Sequence, residues 1–209
     1  MKTPLFLISA CAALLLVSCG LSSAGTGSLA DTYHSCLEHE DCALPVDVKS
    51  GLLFSGFREG CAELKNGTRI YGNMNINLFG QQSLVVAGEG GQDATRYPVD
   101  NVQVATIGGL RMNTFSDLIF GDFFLIPVAS AGDVGLWLRV LGMSVAGSPT
   151  DSHYASKMYL SKKGRVVPAS IEDLKRLFRD RKQFIEDISS ELDVDSYGQM
   201  KALFITLGE

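Results

Sequence analysis

The stretch CAELKNGTRIYG, Cys61 to Gly72, constrains the fold more than any other part of the chain. Asn-Gly between two runs of alternating character signals a β-hairpin. A two-residue Asn66-Gly67 turn would set Leu64 against Arg69 and Glu63 against Ile70, which mismatches the faces. A three-residue Lys65-Asn66-Gly67 loop, with Gly67 left-handed, sets Leu64 against Thr68, Glu63 against Arg69 and Ala62 against Ile70. Opposite charges then meet on one face and apolar groups on the other, so the longer loop is predicted. Cys61 falls on the outer face with Glu63. A hairpin with one apolar face needs further strands and a core to cover it.

Such strands follow. GLLFSGF, from Gly51, is short and apolar. MNINLFG and SLVVAG, Met74 to Gly88, read as a second hairpin across Gly80-Gln81-Gln82. GEGGQDA, Gly88 to Ala94, is a loop, and no strand–turn–helix pattern surrounds it to make a phosphate cradle. RYPVDNVQVATIGG supplies one or two strands, with Pro98 favouring a sheet edge. LRMNTFSDLIF is ambiguous. GDFFLIPVAS and VGLWLRVLGMSVAG form a large apolar hairpin about Ala131-Gly132-Asp133, with Trp137 assigned to core packing.

The period then changes. MYLSKKGRVVPA is a small hairpin over Lys162-Lys163-Gly164. Ser170 begins a helix, with an acid three residues on at Asp173. Ile171, Leu174, Leu177 and Phe178 form its apolar stripe. A second helix is predicted over Asp180 to Leu192, with Phe184, Ile185, Ile188 and Leu192 inward. A third is predicted over Ser196 to Leu207, with Tyr197, Met200, Leu203, Phe204 and Leu207 inward. The fold class expected is α+β: an antiparallel, meander-rich sheet, barrel- or sandwich-like, with C-terminal helices.

The tail YLSKKGRVVPASIEDLKRLFRDRKQFIEDISSELDVDSYGQMKALF resembles a C-terminal module of secreted and envelope proteins of Bacteroidetes-type bacteria. A Tyr-led strand, a Lys-Lys-Gly turn, a second strand and three helices carry the resemblance over about 45 residues. The strands at 60–70, 75–86 and 123–138 echo it loosely. The chain departs from that family at its end, where Phe204 and Ile205 replace paired tyrosines and Asn. The resemblance implies an envelope protein of β-plus-helix fold and supplies no chemistry.

The N-terminus addresses the same compartment. Lys2 precedes an apolar run from Pro4 to Val17, shorter than the roughly 20 residues of a membrane-spanning helix. Charge, short apolar core and small residues describe a secretory signal. Leu16-Val17-Ser18-Cys19 is similar to the bacterial lipobox, which implies cleavage before Cys19 and its acylation. Residues 1–18 are then the signal peptide, 19–31 the lipidated cysteine and a Gly/Ser/Ala-rich tether, 32–156 a β-rich region, and 157–209 the C-terminal hairpin plus helices. Acyl chains on Cys19 make the membrane itself a partner. Gly20, in place of the Asp that retains lipoproteins at the inner membrane, leans toward the outer membrane.

Net charge is −5, and −6 once Lys2 is cleaved away, which carries no electrostatic footprint for nucleic acid. The charge is uneven. Lys162, Lys163, Arg165, Lys175, Arg176, Arg179, Arg181 and Lys182 crowd into the start of the tail. They form either an ordinary solvated face or a basic patch for anionic lipid or an acidic envelope partner.

YHSCLEHEDC, Tyr33 to Cys42, offers Cys36, His39 and Cys42 at three-residue spacing beside His34. With Cys11 cleaved and Cys19 acylated, Cys36, Cys42 and Cys61 remain for one disulfide and one leftover thiol. In an exported protein a disulfide ranks ahead of free buried thiols, and both ahead of a zinc site. His153, within Asp151-Ser152-His153-Tyr154, is expected in a surface loop. Asp193-Val194-Asp195-Ser196-Tyr197-Gly198 opens like a calcium loop but has Phe204 where a bidentate Glu is needed. A helix cap at Asp195 or Ser196 explains it. No cofactor, metal or catalytic constellation is predicted. The reading is an acyl-anchored envelope lipoprotein that binds or scaffolds. The alternatives are a glycan-active hydrolase and a carrier of small apolar ligands.

Overall fold

A computed structural model describes residues 28–38, 46, 51–88, 93–117, 121–144 and 152–208. The lipobox at 16–19, the signal segment, the tether through Gly27, His39 and Cys42 lie outside the described residues. So do Gly91 and most of the GEGGQDA loop.

Ten strands form one antiparallel sheet: β1 (Arg58–Leu64), β2 (Arg69–Asn77), β3 (Ser83–Val86), β4 (Thr95–Pro98), β5 (Val102–Ile107), β6 (Leu110–Asp117), β7 (Gly121–Ala131), β8 (Val134–Ser144), β9 (Ser152–Lys162) and β10 (Arg165–Pro168). Four helices accompany it: α1 (Leu29–Leu37), α2 (Ile171–Leu177), α3 (Lys182–Ile188) and α4 (Tyr197–Gly208). The fold is α+β, as expected. The strand order is β10-β9-β8-β7-β6-β5-β1-β2-β3-β4, so the sheet is open and β4 and β10 are its edges. Both edge strands are four residues long and end in proline, Pro98 and Pro168. Short, proline-ended edges resist pairing with another sheet.

Within this order lie two meanders. One runs β1–β4; the other runs β5–β10 and starts on the far side of β1. The first hairpin takes the predicted form. Ala62 faces Ile70 and Glu63 faces Arg69. The Leu64 N–H donates to the Thr68 carbonyl at 2.9 Å. Gly67 closes the loop at φ +84°, open to glycine at no steric cost. The Lys-Lys-Gly hairpin is tighter still. Arg165 pairs with Lys162, leaving only Lys163 and Gly164 in the turn, both at positive φ (50° and 78°). That is the two-residue geometry whose twist suits antiparallel strands. Pro98 stands on an edge, as its missing N–H requires. The ambiguous LRMNTFSD segment is β6.

The sheet rolls up, although it does not close. Gln82, in the β2–β3 connection, is buried. Its Nε2 donates to the Val140 carbonyl of β8 at 3.0 Å, and its Oε1 accepts from the Phe124 N–H of β7 at 2.9 Å. Its own carbonyl accepts from the Val99 N–H. Four strands separate β3 from β7 in the sheet, so only curvature brings these groups together. At the same joint Gly142 meets Leu78 closely: a Cβ there would lie 2.8 Å from Leu78 Cβ and 2.9 Å from its carbonyl oxygen.

Asn75 makes a second buried polar joint. Its Oδ1 accepts from the Phe54 and Ile76 N–H groups, and its Nδ2 donates to the carbonyls of Phe54 and Gly56. It thereby fixes residues 53–56 beside β2, where β1 has not yet begun.

The inner face of the sheet is covered by helices. α4 packs on β7, β8 and β9 and on α1. All five residues expected inward, Tyr197, Met200, Leu203, Phe204 and Leu207, are buried, as are Ala202 and Thr206. Phe178 meets Phe204 edge-on at 5.6 Å between ring centres. Ser170 caps α2 as predicted, its Oγ accepting from the Asp173 N–H at 3.1 Å. The second helix is shorter than expected: a 3-10 turn at Arg179–Arg181 precedes α3, which ends at Ile188. The four side chains assigned inward there are nevertheless buried.

α1 is the element that the composition hid. It begins at Leu29, inside the 19–31 segment read as tether. Ser28 and Asp31 form a reciprocal capping box. Tyr33 is fully buried and meets Phe184 edge-on at 6.5 Å, locking α1 to the C-terminal helices. The 32–156 region is therefore not wholly β. Its boundary with the tail falls inside β9, so one sheet spans both.

Candidate binding face

Alternation along each strand sends one set of side chains to the helices and the other to the outer face. The outer face divides into two halves.

Over β6 to β9 it is aromatic. Phe123, Leu125 and Tyr159 form a buried cluster, with Phe115, Trp137 and Val166 packed on it. Phe115 and Tyr159 meet Phe123 at 5.6 and 5.4 Å between ring centres. The Arg139 guanidinium lies 3.8 Å from the centre of the Phe123 ring and reaches Tyr159 Oη at 3.4 Å. Trp137, expected to pack in the core, does pack on a core cluster, but the smaller one rather than the main core. It is half-buried on the opposite face, and its Nε1 donates to Ser161 Oγ at 2.7 Å.

Over β2, β1, β5 and β6 the face is polar and open. Register places Tyr71 beside Cys61, Cys61 beside Thr106, and Thr106 beside Arg111. The next row sets Arg69, Glu63 and Val104 side by side. Together they line a shallow depression of about 240 Å³. Tyr71 is 69% exposed, the most exposed of the large hydrophobic side chains among the described residues. Arg69 Nε pairs with Glu63 at 3.5 Å. Arg111, exposed, is in none of the ion pairs among the described residues. A second depression of about 320 Å³ lies at the β7 bulge, between Pro127, Ser130, Gly135 and Trp137.

One ion pair ties the halves at their rim. Lys65, in the β1–β2 turn, donates to Asp122 of β7 at 3.0 Å, and Ser116 Oγ donates to the same carboxylate at 2.5 Å. The Ser116 bond first, and Lys65 second, hold the Asp122 carboxyl below the ordinary aspartate range.

The residues singled out from sequence do not converge. Cys61 is exposed on the open half, as the hairpin register requires, while Cys36 sits half-buried on α1 against the core. No disulfide joins these two. Cys42 and Cys19 lie outside the described residues. Among the described residues no group of three or more His, Cys, Asp or Glu side chains is placed to hold a metal. His153 lies in β9, opposite Met143, rather than in a surface loop. Asp195 and Ser196 serve structure: Ser196 precedes α4 and its carbonyl accepts from Met200, while the Asp195 carbonyl accepts from Ser156 Oγ on β9.

The basic cluster is split in two. Lys162, Lys163 and Arg165 sit at the β9–β10 tip, and Lys175, Arg176, Arg179, Arg181 and Lys182 sit at the α2–α3 corner. Acids answer five of the eight. Lys162 pairs with Asp133, Lys175 with Glu172 and Glu186, Arg176 with Asp173, Arg181 with Asp180, and Lys182 with Glu186. The Lys162 bond draws the Asp133 carboxyl below its usual range. Lys163, Arg165 and Arg179 are in none of the ion pairs among the described residues.

The open polar row was missed in the sequence because its members come from four strands 61 to 111 in number. Only the register of β1 against both β2 and β5 assembles them. No protein-family model matches the chain, and no curated protein or solved structure shows significant similarity to it. No helix among the described residues is long and apolar enough to cross a membrane.

Proposed function

We propose that this chain is an acyl-anchored envelope lipoprotein that works by binding, presenting the outer face of its sheet from the end of a short tether. The anchor rests on the order Lys2, apolar run, Leu16-Val17-Ser18-Cys19. Gly20 favours the outer membrane. The described domain starts at Ser28, which leaves Cys19 to Gly27 to bridge lipid and α1. Nine residues of Gly/Ser-rich linker composition reach roughly 15–18 Å, enough to lift a domain clear of the headgroups.

One observation carries the binding part. The inner side of the sheet is filled by α4, whereas the polar half of the outer side is left open and shallow. Met200, Leu203 and Phe204 occupy the interior that a carrier would keep empty, which favours binding on the outer face. A shallow open face suits a large partner better than a small substrate, which enzymes enclose more deeply.

Two experiments test the reading. Cys19→Ala should release the protein from membranes or block its processing; a variant still membrane-bound and fully processed overturns the anchor. A photo-crosslinker replacing Tyr71 should give defined adducts in intact envelopes, while one replacing Arg179 should not. Equal labelling from both positions overturns the assignment of the binding face.

A further inference from the structure

We infer that the open outer face receives a second copy of this chain, packed on it about a two-fold axis, an inference that rests on the binding reading above and names its partner. Register lays the face out as a grid over β2, β1, β5 and β6. One row is Arg69, Glu63, Val104 and Asn113; the next is Tyr71, Cys61, Thr106 and Arg111. A third sets Asn73 beside Glu59, whose carbonyl accepts from the Gly108 N–H on the β5 side. Glu59 and Arg111 are both exposed, and both are in none of the ion pairs among the described residues.

A two-fold contact requires a face to be its own complement, each residue meeting on the other copy the group that its counterpart offers in return. The four charges satisfy this. Steps of about 4.8 Å between strands and about 3.4 Å along them fix their relative places. A line in the plane of the face runs midway between Arg69 and Glu63 and midway between Glu59 and Arg111. Each acid has a base as its counterpart across that line. Turning a second copy about it lays Arg111 over Glu59 of the other copy and Arg69 over Glu63 of the other copy, each pair twice. Shape follows charge. Tyr71 projects, and beside it Val104 and Thr106 line the depression of about 240 Å³. The same turn carries Tyr71 onto Val104 of the other copy, a knob into its hole, while Cys61 falls about 2 Å from the axis on these spacings. The contact is small. Its rows cover about 14 by 14 Å, against the roughly 800 Å² per partner of a stable complex. Pairing therefore belongs to copies held on one membrane, where shared anchoring raises their effective concentration, and not to dilute solution. An axis along the membrane normal sets both tethers at one height.

The test uses the full chain in intact envelopes. A photo-crosslinker replacing Tyr71 should give an adduct of twice the chain mass, joined near Val104 by peptide mass spectrometry. A short bismaleimide should join the exposed Cys61 thiols into the same dimer, and Cys61→Ser should abolish it. Arg111→Glu or Glu59→Arg alone brings like charges together and should lower the Cys61 dimer yield at least fivefold with thermal unfolding unchanged. The double variant exchanges the two charges, restores each pair between copies and should recover at least half of the wild-type yield. Arg179→Glu should leave the yield intact. The inference is overturned if no dimer forms, if the single reversals leave the yield unchanged, or if the double variant stays as low as the singles. A position 71 that joins a different protein instead keeps the binding face and removes the second copy as its partner. No adduct at all from position 71 takes the binding reading down with it.

Discussion

The two halves of the outer face begin from the same strand alternation and end differently. Phe123 and Tyr159 point away from the helices and are still buried. Cys61 and Tyr71, at equivalent positions of β1 and β2, are exposed. Side-chain reach makes the difference. Large rings on neighbouring strands cover one another, and the long stem of Arg139 lies across Phe123 with its charged head above the ring. Cysteine and threonine cannot do the same. Pointing outward is therefore not the same as being wet, and an outer face can hold a sealed half beside an open one.

Four substitutions break or sharpen that contrast. The largest effect is expected from Phe123→Ala, which empties the sealed half; about 3–4 kcal/mol should be lost by chemical denaturation. A loss below about 1 kcal/mol would show that the aromatic half is surface decoration. Next comes Gln82→Ala at the inner joint between the meanders. It leaves the Phe124 N–H and the Val140 carbonyl without partners and should cost about 2–3 kcal/mol, with the protection of the Phe124 amide against hydrogen exchange falling with it.

The rim pair comes third and depends on pH. The folded-state pKa of Asp122 is lowered, so its contribution is present above the ordinary aspartate value of 3.8 and is lost as pH falls through the lowered value. Lys65→Met should cost up to about 1 kcal/mol at neutral pH, since Lys65 is half exposed, and the gap from wild type should close in acid. A gap that persists unchanged at low pH would assign the loss to packing of the lysine stem. The smallest effect belongs to Tyr71→Ala in the open half, where stability should stay within about 0.5 kcal/mol of wild type. Measured by thermal unfolding, a larger loss would mean that the open half is structural after all.

Local chemistry made much of this molecule legible in its sequence. The loop at Lys65–Gly67, the cap at Ser170 and the inward residues of α4 are all decided within a few residues of chain. α1 was legible too: Ser28-Leu29-Ala30-Asp31 is a capping box, masked by the Gly/Ser-rich run before it. What the sequence concealed is long-range. Nothing near Val102 says that β5 will pair with β1 rather than with β4. Nothing near Gln82 says that its amide will meet β7 and β8. Which of the two core clusters receives Trp137 was hidden for the same reason, because it depends on which face of β8 the helices cover. The candidate binding face inherits the difficulty, being a product of strand order.

That strand order also has a consequence in time. β1 is flanked by β2, five residues further on, and by β5, which starts at Val102. A chain that emerges N-terminus first can complete β1–β4 while the other edge of β1 is still bare. Until β5 arrives, the edge of β1 from Gly60 to Leu64 stands open at what will become the inside of the finished sheet. Contacts between distant parts of a chain form slowly, and unpaired strands invite the wrong neighbour. A strand that ends up inside the finished sheet is thus an exposed one during synthesis, and the prolines that guard the final edges do not guard that transient one.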